Sequence, residues 1–333
     1  MSTASTATAN PIEELQKVSS VSTGFLEGHD EIPLLITSQE EGADLKVWMA
    51  EYRELIEQSL LKYGGILFRG FGIDSIDTFN SMMQIYRESS VDYVFRSSPR
   101  HSLADRVYES TTYPADRQIN MHSEQSYSYA LIQKIVFCCL KKAEERGETP
   151  IVNNRKILSS LSEELRNKFY EKGVLYQRNL SPYIGMGWEE VFQTDSREEV
   201  IKNCEENNIS YEFDDEEDSL ILRWKKDAII NHPVSNEATW FNHCFFFNKY
   251  SMFEEMGIDP EDGLPEESIS YNTFFGDGSE ITFEEYTEIR NAYHDQKVMF
   301  PWEEGDVLFL DNILTSHGRS PFKGERQIVV SMV

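Results

Sequence analysis

Two histidines and a glutamate offer the most specific chemistry in this sequence. His122 and Glu124 lie two residues apart in the stretch 121–125, MHSEQ, and His317 lies far downstream in the stretch 311–319, DNILTSHGR. On a strand, side chains at positions i and i+2 share a face, so His122 and Glu124 can turn toward one metal ion. Two histidines and one carboxylate on one face of an ion form the facial triad of non-haem Fe(II) oxygenases. The spacing therefore predicts an iron site.

The tripeptide H-x-E alone does not decide between this hypothesis and simpler ones. In the simplest interpretation, His122 is a hydrogen-bonded polar residue and Glu124 is a surface carboxylate. The same tripeptide occurs in zinc nucleobase deaminases, whose thiolate ligands come from a downstream P-C-x-x-C element. The sequence contains no such element, because its four cysteines are Cys138, Cys139, Cys204 and Cys244. A zinc hydrolase therefore has little support.

Length, charge and composition limit the class of protein. The chain has 333 residues, 40% of them hydrophobic and 12% aromatic, which is typical of a globular protein with a substantial core. Its formal net charge of −27 argues against a nucleic-acid partner and against adsorption to an anionic membrane. No uncharged apolar stretch approaches the roughly 18 residues of a transmembrane helix. The cysteines form no disulfide framework, so we expect a soluble protein of a reducing compartment, the cytoplasm.

Hydrophobic periodicity predicts short strands with helices between them. A helical pattern covers 44–62, an unbroken apolar run at 135–140 indicates a central strand, and Ser160 with Glu163 resembles a capping box that opens a helix. Further strands are expected at 307–310 and 327–331, with the second histidine in a turn between them. Such a pattern favours a mainly β fold, a sandwich or jelly roll, with flanking helices.

The expected domain organisation is simple. The N-terminal residues are rich in Ser, Thr and Ala, and we predict a disordered tail over 1–20. One domain is expected over 21–333, because no linker or internal repeat divides the chain. The polar, irregular segments 181–219 and 255–280 are long enough to be candidate lids.

Several other short motifs occur in the order found in one enzyme family. They are KYGGILFRGF at 62–71, STTYP at 110–114, GETPI at 147–151, WFN at 240–242 and the stretch from His317 to Arg326. Together they resemble the taurine dioxygenase-like (TauD/TfdA) superfamily of Fe(II)/2-oxoglutarate dioxygenases, and especially its clavaminate synthase-like branch. The resemblance runs from about residue 60 to the C-terminus. It implies a double-stranded β-helix, the jelly roll of that branch.

The resemblance also implies roles for individual residues. His122, Glu124 and His317 would bind Fe(II), and Arg326 would pair with the far carboxylate of 2-oxoglutarate, helped by the hydroxyl of Thr149. A buried dianion needs a permanent, planar cation, and the guanidinium supplies five fixed donors. The competing interpretation of Arg326 is a surface salt bridge in a protein with surplus carboxylates.

For several other residues near the motifs, two roles are possible. Arg319 matches an arginine of the branch near the metal or the cosubstrate carboxylate, and a supporting structural role is the alternative. Asn242 and His243 are candidate substrate residues beside the phenylalanine run 245–247, for which core packing is the alternative. The Asp and Asn at 311–312 either cap a turn or orient the histidine that follows.

The reaction implied by the resemblance is hydroxylation of an unactivated C–H bond with Fe(II), 2-oxoglutarate and O₂. Related halogenases lack a carboxylate at the position of Glu124, so its presence favours oxygen transfer. The implied substrate is an amino acid or a derivative, free or tethered to a carrier protein, in antibiotic or other natural-product biosynthesis. The alternatives are a taurine-type dioxygenase of sulfonates or small acids and a catalytically silent protein that binds 2-oxoglutarate or metal. Nothing in the sequence indicates an oligomeric state.

Overall fold

A computed structural model describes residues 10–89, 102–104, 106–110 and 113–333. The strands, in chain order, are β1 (Val21–Phe25), β2 (Leu34–Ser38), β3 (Gly65–Arg69), β4 (Ser102–Ala104), β5 (Val107–Glu109), β6 (Ile119–His122), β7 (Lys134–Lys141), β8 (Glu145–Arg146), β9 (Ile151–Asn153), β10 (Val174–Leu180), β11 (Ser210–Asp214), β12 (Ser219–Lys226), β13 (Ile229–Asn231), β14 (Ala238–Trp240), β15 (Tyr271–Phe275), β16 (Val307–Asp311), β17 (Thr315–Arg319), β18 (Phe322–Lys323) and β19 (Gln327–Met332).

The helices lie between and outside these strands. They are α1 (Pro11–Leu15), α2 (Leu45–Glu51), α3 (Arg53–Tyr63), α4 (Ile76–Met83), α5 (Asn154–Ser160), α6 (Glu163–Lys172), α7 (Trp188–Phe192), α8 (Arg197–Glu206), α9 (Cys244–Phe247), α10 (Lys249–Met256) and α11 (Phe283–Gln296). Short 3-10 helices cover Gln84–Ser89 and Glu266–Ser268. No helix in the described ranges is both long enough and apolar enough to span a bilayer.

The largest sheet has the strand order β1–β2–β3–β16–β7–β19–β5–β4. Strand β7 lies between β16 and β19 and pairs antiparallel with both. Its residues alternate between two buried clusters, with Ile135 and Phe137 on one face and Val136 and Cys138 on the other. A strand that is buried on both faces needs an unbroken apolar sequence. The central strand predicted at 135–140 is therefore confirmed.

Helices cover one face of this sheet and a smaller sheet covers the other. On the first face, Trp48 of α2 packs against Phe68 of β3, with ring centroids 6.0 Å apart, and α3 and α4 complete the layer. On the second face, Ile151 of β9 joins the cluster of Ile135 and Phe137. Strand β9 belongs to the smaller sheet β6–β17–β9. These two facing sheets form a jelly roll, and the predicted fold class is confirmed.

A third sheet, of order β11–β12–β10–β15, lies beside the jelly roll. Its inner face packs against α6, α8, α9, α10 and α11 in one large cluster, in which Trp224 and Phe245 are almost fully buried. The chain between β9 and β16 builds this layer. Helices α9 and α10 lie at the junction between the two parts, which makes them important for the site described below.

Three details of the sequence-based prediction are wrong. The helix predicted over 44–62 is interrupted at Tyr52, which leaves helical geometry with φ −103° and ψ 23°. The predicted capping box is absent, because Ser160 ends α5 and the next helix is capped by Ser162, whose Oγ accepts from Leu165 N at 3.3 Å. His317 lies within strand β17 and not in a turn.

The predicted tail over 1–20 needs a correction at its second half. Residues 1–9 lie outside the described part of the chain. Pro11–Leu15 form α1, and the side chain of Leu15 is fully buried in the cluster beneath α2 and α3. An apolar side chain buried in the main core anchors the segment to the domain. Any tail therefore ends before residue 11.

Candidate functional site

The three predicted metal ligands meet on the smaller sheet. His122 ends β6, Glu124 follows in the next bend, and His317 lies on β17 directly opposite His122 in the antiparallel register. The ligand atoms of all three residues lie within 4.8 Å of one another, and His317 Nε2 is 3.9 Å from Glu124 Oε2. All three side chains are buried. Directly opposite strand residues have Cβ atoms about 5 Å apart, so the pairing itself brings both imidazoles to one point.

The close contact between β6 and β17 requires a glycine beside the ligands. A Cβ atom on Gly318 would lie only 2.6 Å from the carbonyl oxygen of Ile119 and 3.2 Å from the Met121 side chain. The register also shifts between His317 and Arg319, so the strand is irregular at this point. Gly318 thus lets the strand that carries the second histidine approach the first.

The donor set fits a divalent iron. The Nδ1 of His122 lies 2.8 Å from the carbonyl oxygen of Asn120. A carbonyl oxygen can only accept, so Nδ1 carries the proton and Nε2 keeps the lone pair that a metal needs. Two imidazole nitrogens and one carboxylate oxygen on one side of a buried point are the ligands of the 2-His-1-carboxylate triad.

Asn312 fixes the backbone at Glu124. Its Oδ1 accepts from Glu124 N at 2.7 Å, and its Nδ2 donates to the carbonyl oxygens of Glu124 at 3.0 Å and Ile132 at 2.8 Å. Asp311, in contrast, caps the turn before β17, since its Oδ1 accepts from the backbone N–H groups of Ile313 and Leu314. The two neighbours that the sequence analysis treated together therefore have different roles.

A buried polar network joins the two ligand-bearing segments from behind. Asn154, at the start of α5, donates from Nδ2 to Ser123 Oγ at 3.0 Å, and its Oδ1 accepts from Ser316 Oγ at 2.7 Å. Ser316 precedes His317 on β17, so its side chain points to the opposite face of that strand, and Ser123 lies between the ligand that ends β6 and the ligand that follows it. The sequence analysis missed this network, because serine and asparagine at such positions carry no distinctive signal.

Aromatic rings and a neutral histidine surround the ligands. The ring of Phe246 stacks on that of His122, with centroids 5.0 Å apart and an interplanar angle of 15°. The ring centroids of Phe137 and His317 lie 4.9 Å apart. The ring centroids of His243 and His122 lie 5.0 Å apart, and His243 Nδ1 is 2.8 Å from Ser126 Oγ. Burial holds the pKa of His243 well below its usual range. The ring is therefore neutral and adds no charge beside the metal ligands.

Arg326 and Thr149 line the same cavity as the metal ligands. Within the described part of the chain, the one hydrogen bond of Arg326 runs from Nε to the carbonyl oxygen of Gly147, 3.0 Å away. Burial lowers the pKa of Arg326 to about 10, and the nearby Arg319 adds to the effect. A half-buried cation of this kind favours a nearby counter-ion. The Nη groups therefore suit a carboxylate that enters the cavity, as the distal end of 2-oxoglutarate would.

The hydroxyl group of Thr149 can donate a hydrogen bond to the same carboxylate. Its Oγ1 accepts from the indole N–H of Trp302 at 3.2 Å, which leaves the hydroxyl hydrogen available for an anion. Gly147, two residues earlier, has φ +80°, and a Cβ there would lie 3.2 Å from Arg326 Cδ. The glycine therefore allows Arg326 to pass close to the backbone.

Arg319 has a structural role in this geometry. Its guanidinium donates to the carbonyl oxygens of Tyr113, at 2.8 Å, and of Pro114 and Arg117. These bonds hold the segment that leads into β6, although Arg319 also lines the cavity. They support the alternative that the sequence analysis left open. Two residues of the 110–114 motif, Thr111 and Thr112, lie outside the described residues.

The two candidate substrate residues lie behind the ligands and not on the cavity wall. Asn242 donates from Nδ2 to the carbonyl oxygen of Ala228 at 2.8 Å, and its Oδ1 accepts from Cys244 N at 2.9 Å. Neither Asn242 nor His243 is among the described residues that line the cavity. The neighbouring Phe246 and Phe247 do line it, so the aromatic run was placed more accurately than the polar pair.

The cavity has a volume of about 300 Å³ and extends from the metal ligands between β6 and α10. The sequence analysis missed most of this second end. Its wall residues beyond the metal and cosubstrate groups include Gln118, Ile119, Asn120, Ser251, Met252, Glu255 and Tyr271. A period of two before His122 could have indicated residue 120, because it shares the face of β6 that carries the histidine.

The candidate lid segments have different positions. Segment 255–280 contributes Glu255, Ser270 and Tyr271 to the cavity wall. Segment 181–219 contains α7, α8 and β11, and Val200 and Cys204 of α8 are fully buried in the third layer. No described residue of 181–219 lines the cavity. Of the two, only 255–280 is positioned to cover the site.

Comparison with known proteins decides the family. The model of the taurine catabolism dioxygenase TauD, TfdA family matches residues 31–332. The chain belongs to this family. The chain is 33% identical over 307 residues to the dapdiamide synthesis protein DdaC of Enterobacter agglomerans, and the match covers 90% of each protein. It is 26% identical over 289 residues to the clavaminate synthase-like protein At3g21360 of Arabidopsis thaliana, over 84% of each.

Solved structures share the fold at low sequence identity. PvcB of Pseudomonas aeruginosa matches with a TM-score of 0.56 and 12% identity, over 94% of this chain and 91% of the other. AAD-2, solved with Mn(II) and N-oxalylglycine, matches with a TM-score of 0.53 and 11% identity, over 94% and 96%. The predicted family, its clavaminate synthase-like branch and the enzyme class are confirmed. Fe(II), 2-oxoglutarate and O₂, predicted from the resemblance, are confirmed at the level of the family.

Proposed function

We propose that this protein is an Fe(II)/2-oxoglutarate-dependent dioxygenase that hydroxylates an unactivated C–H bond in an amino acid or an amino-acid-derived small molecule. His122, Glu124 and His317 hold the iron, and Arg326 with Thr149 holds the far carboxylate of 2-oxoglutarate. The supporting observation is that these five side chains line one cavity, although nearly 170 positions separate Thr149 from His317.

The residues around the metal have roles that follow from their contacts. When bound, iron with 2-oxoglutarate supplies an oxidant from O₂ that can attack an unactivated C–H bond. Arg326 and Thr149 fix the cosubstrate by its far end, which sets the distance of its other end from the ligands. Phe137 and Phe246 exclude water beside the two histidines, so a reactive site is not quenched by solvent.

Glu124 supports oxygen transfer over halogen transfer. Related halogenases leave this position without a carboxylate. Here the carboxylate is present and buried, and Asn312 fixes its backbone through hydrogen bonds to both N–H and C=O. A third protein ligand that is held so firmly occupies the position that a halide would need.

The type of substrate is proposed from the relatives. DdaC is named for dapdiamide synthesis, and PvcB is described as an oxygenase from an isonitrile synthetic pathway. Both descriptions support a role in natural-product biosynthesis, with a substrate that is free or bound to a carrier protein. A cytoplasmic location is proposed because all four cysteines are buried and free, as expected in a reducing compartment.

Anaerobic titration with Fe(II) and 2-oxoglutarate tests the assignment. The wild-type protein should develop a weak visible metal-to-ligand band, which the Glu124→Ala and His317→Ala variants should lack. Tyr183→Ala, at a side chain that is 78% exposed, is the matched control and should keep the band. A wild-type protein without the band, or ligand variants with full turnover, would contradict the proposal.

The substrate is then found by a screen. Amino acids and their derivatives, free and loaded on carrier proteins, are incubated with Fe(II), 2-oxoglutarate and O₂. The expected result is succinate release that depends on one group of compounds, together with a product heavier by one oxygen. Stimulation by taurine or other sulfonates alone would instead favour the taurine-type alternative.

A further inference from the structure

Part of the cavity wall beyond the metal is formed by β6 and the residue before it. Asn120 and His122 lie two positions apart on β6, Gln118 immediately precedes the strand, and all three line the cavity. Because a strand rises about 3.3 Å per residue, the backbone of Asn120 lies roughly 7 Å from that of the metal ligand. Ser251, Met252 and Glu255 of α10 also line this part of the cavity. Asn120 is therefore the polar strand residue nearest to the metal on this wall.

The hydrogen bonds of Asn120 fix the orientation of its amide. Its Oδ1 accepts from Gln118 Nε2 at 2.6 Å, and its Nδ2 donates to Ser251 Oγ at 2.7 Å. These bonds come from both sides of the cavity and hold the side chain in one rotamer. The backbone of the same residue orients His122 through its carbonyl oxygen. The side chain is thus a rigid group next to the metal.

Counting donors and acceptors shows what this amide still offers. A carboxamide has two N–H donors and two acceptor lone pairs on its oxygen. Within the described residues, the contacts to Gln118 and Ser251 use one lone pair and one N–H. One N–H donor and one acceptor lone pair therefore remain on the same planar group. Their complement is another amide, which presents an acceptor and a donor with the same spacing.

We propose that Asn120 recognises a carboxamide or peptide group of the substrate through a pair of reciprocal hydrogen bonds. The inference rests on the proposed function and makes its substrate class more specific, namely an amino-acid derivative that carries an amide. The backbones of Asn120 and His122 lie roughly 7 Å apart along β6. Substrate carbon atoms that are a few bonds away from the amide would therefore lie at the metal. Phe246 and Met252 supply apolar contacts for the intervening atoms.

A carboxylate in the same position fits less well. An ionised carboxylate has only acceptors, so it satisfies the free N–H of Asn120 but leaves the amide oxygen facing another oxygen. The wall therefore discriminates an amide from the corresponding acid, which differs from it by one group.

The test compares matched amides and acids on the wild-type protein. The probes are L-asparagine with L-aspartate, L-glutamine with L-glutamate, and glycylglycinamide with glycylglycine. Each is titrated anaerobically into the protein loaded with Fe(II) and 2-oxoglutarate, and the change in the visible band gives a Kd. We expect the amide to bind about tenfold more tightly than the acid in at least one pair, since an unpaired buried acceptor costs on the order of one hydrogen bond.

Two substitutions test the residue itself. Asn120→Leu has a similar size without hydrogen bonds, and Asn120→Ala removes the amide with less risk of steric strain. Both should bring the ratio of acid Kd to amide Kd close to one. The matched controls are Asn203→Leu and Asn203→Ala, at an exposed position on α8 that does not line the cavity, and they should keep the wild-type ratio.

Each outcome has a definite meaning. The inference is overturned if acids bind as tightly as amides in every pair, if no probe shifts the band, or if the ratio survives in both Asn120 variants. Loss of the band in both Asn120 variants would also overturn it, because Asn120 would then only position His122. A wild-type protein that forms no band with Fe(II) and 2-oxoglutarate would instead contradict the proposed function, so the two failures are distinguishable.

Discussion

The two ends of the cavity are built from different kinds of residues. The metal and cosubstrate end uses two buried histidines, a buried glutamate and a half-buried arginine, each of which needs a specific partner. The other end uses amide, hydroxyl and aromatic side chains such as Asn120, Ser251 and Tyr271. Buried charged groups are rare, so they are informative in a sequence, whereas amides and hydroxyls occur everywhere. Substitutions at the metal and cosubstrate end would abolish the reaction, whereas the residues at the other end can differ between enzymes with different substrates.

Removing a metal ligand should have the largest effect. Glu124→Ala or His317→Ala leaves two protein ligands, and we expect turnover to fall by at least about a thousandfold because the metal supplies several kcal/mol of catalysis. Succinate release measures the loss, with Tyr183→Ala as the control. A ligand variant that keeps a tenth of the activity would show that the triad is assigned incorrectly.

Arg326 should come next. In Arg326→Lys the charge remains but the planar fork is lost, and we expect the KM for 2-oxoglutarate to rise about 10- to 100-fold. The substrate KM should change much less, because the guanidinium lies at the other end of the cavity. Arg197→Lys, in an exposed salt bridge on α8, is the control. Equal changes in both KM values would contradict the division of the cavity into two ends.

Asn312 tests the support of the metal end. Asn312→Ala removes three hydrogen bonds to the backbone of Glu124 and Ile132. We expect the affinity for Fe(II) to fall about 10- to 100-fold, as for other groups that orient metal ligands. The affinity is measured by anaerobic titration, and Asn203→Ala serves as the control. Wild-type affinity in Asn312→Ala would show that the bend holds its shape without this residue.

A change at the mouth of the substrate end should have the smallest effect. Glu255 accepts from Tyr113 Oη at 2.5 Å and lies 3.5 Å from Arg117 Nη1, and its side chain is partly exposed. In Glu255→Gln the charge is lost, and we expect a change of about two- to threefold in substrate KM, since exposed pairs contribute little. The KM for 2-oxoglutarate should stay the same. A larger effect on 2-oxoglutarate than on substrate would contradict the comparison.

The sequence was sufficient to predict the parts that depend on local pattern or rare residue types. The apolar run of β7 is such a signal. The resemblance to the family supplied the roles predicted for His122, Glu124, His317 and Arg326, and these residues line one cavity. Errors arose where tertiary contacts decide the outcome. The break at Tyr52 interrupts a continuous helical pattern, and His317 was placed in a turn because TSHGR has little strand propensity. Pairing with His122 and Ile151 nevertheless makes this segment a strand.

The substrate end could not be predicted for the same reason. Asn120 and Ser251 are 131 positions apart, and only the packing of α10 against β6 brings them together. Asn242 and His243 attracted attention through their motif, but their polar groups are used by the backbone and by Ser126. Local sequence identifies groups that can do chemistry. It does not identify which ordinary polar residue faces the cavity.

The central claim is that His122, Glu124, His317 and Arg326 form one site for iron and 2-oxoglutarate. The most direct measurement is anaerobic titration of the wild-type protein with Fe(II), first alone and then with 2-oxoglutarate, followed by visible absorption. We expect a band that appears only when both are present, saturates at one equivalent of iron, is absent in His317→Ala and needs more 2-oxoglutarate in Arg326→Lys. A protein that forms no such band, or forms it equally well in His317→Ala, would contradict the account.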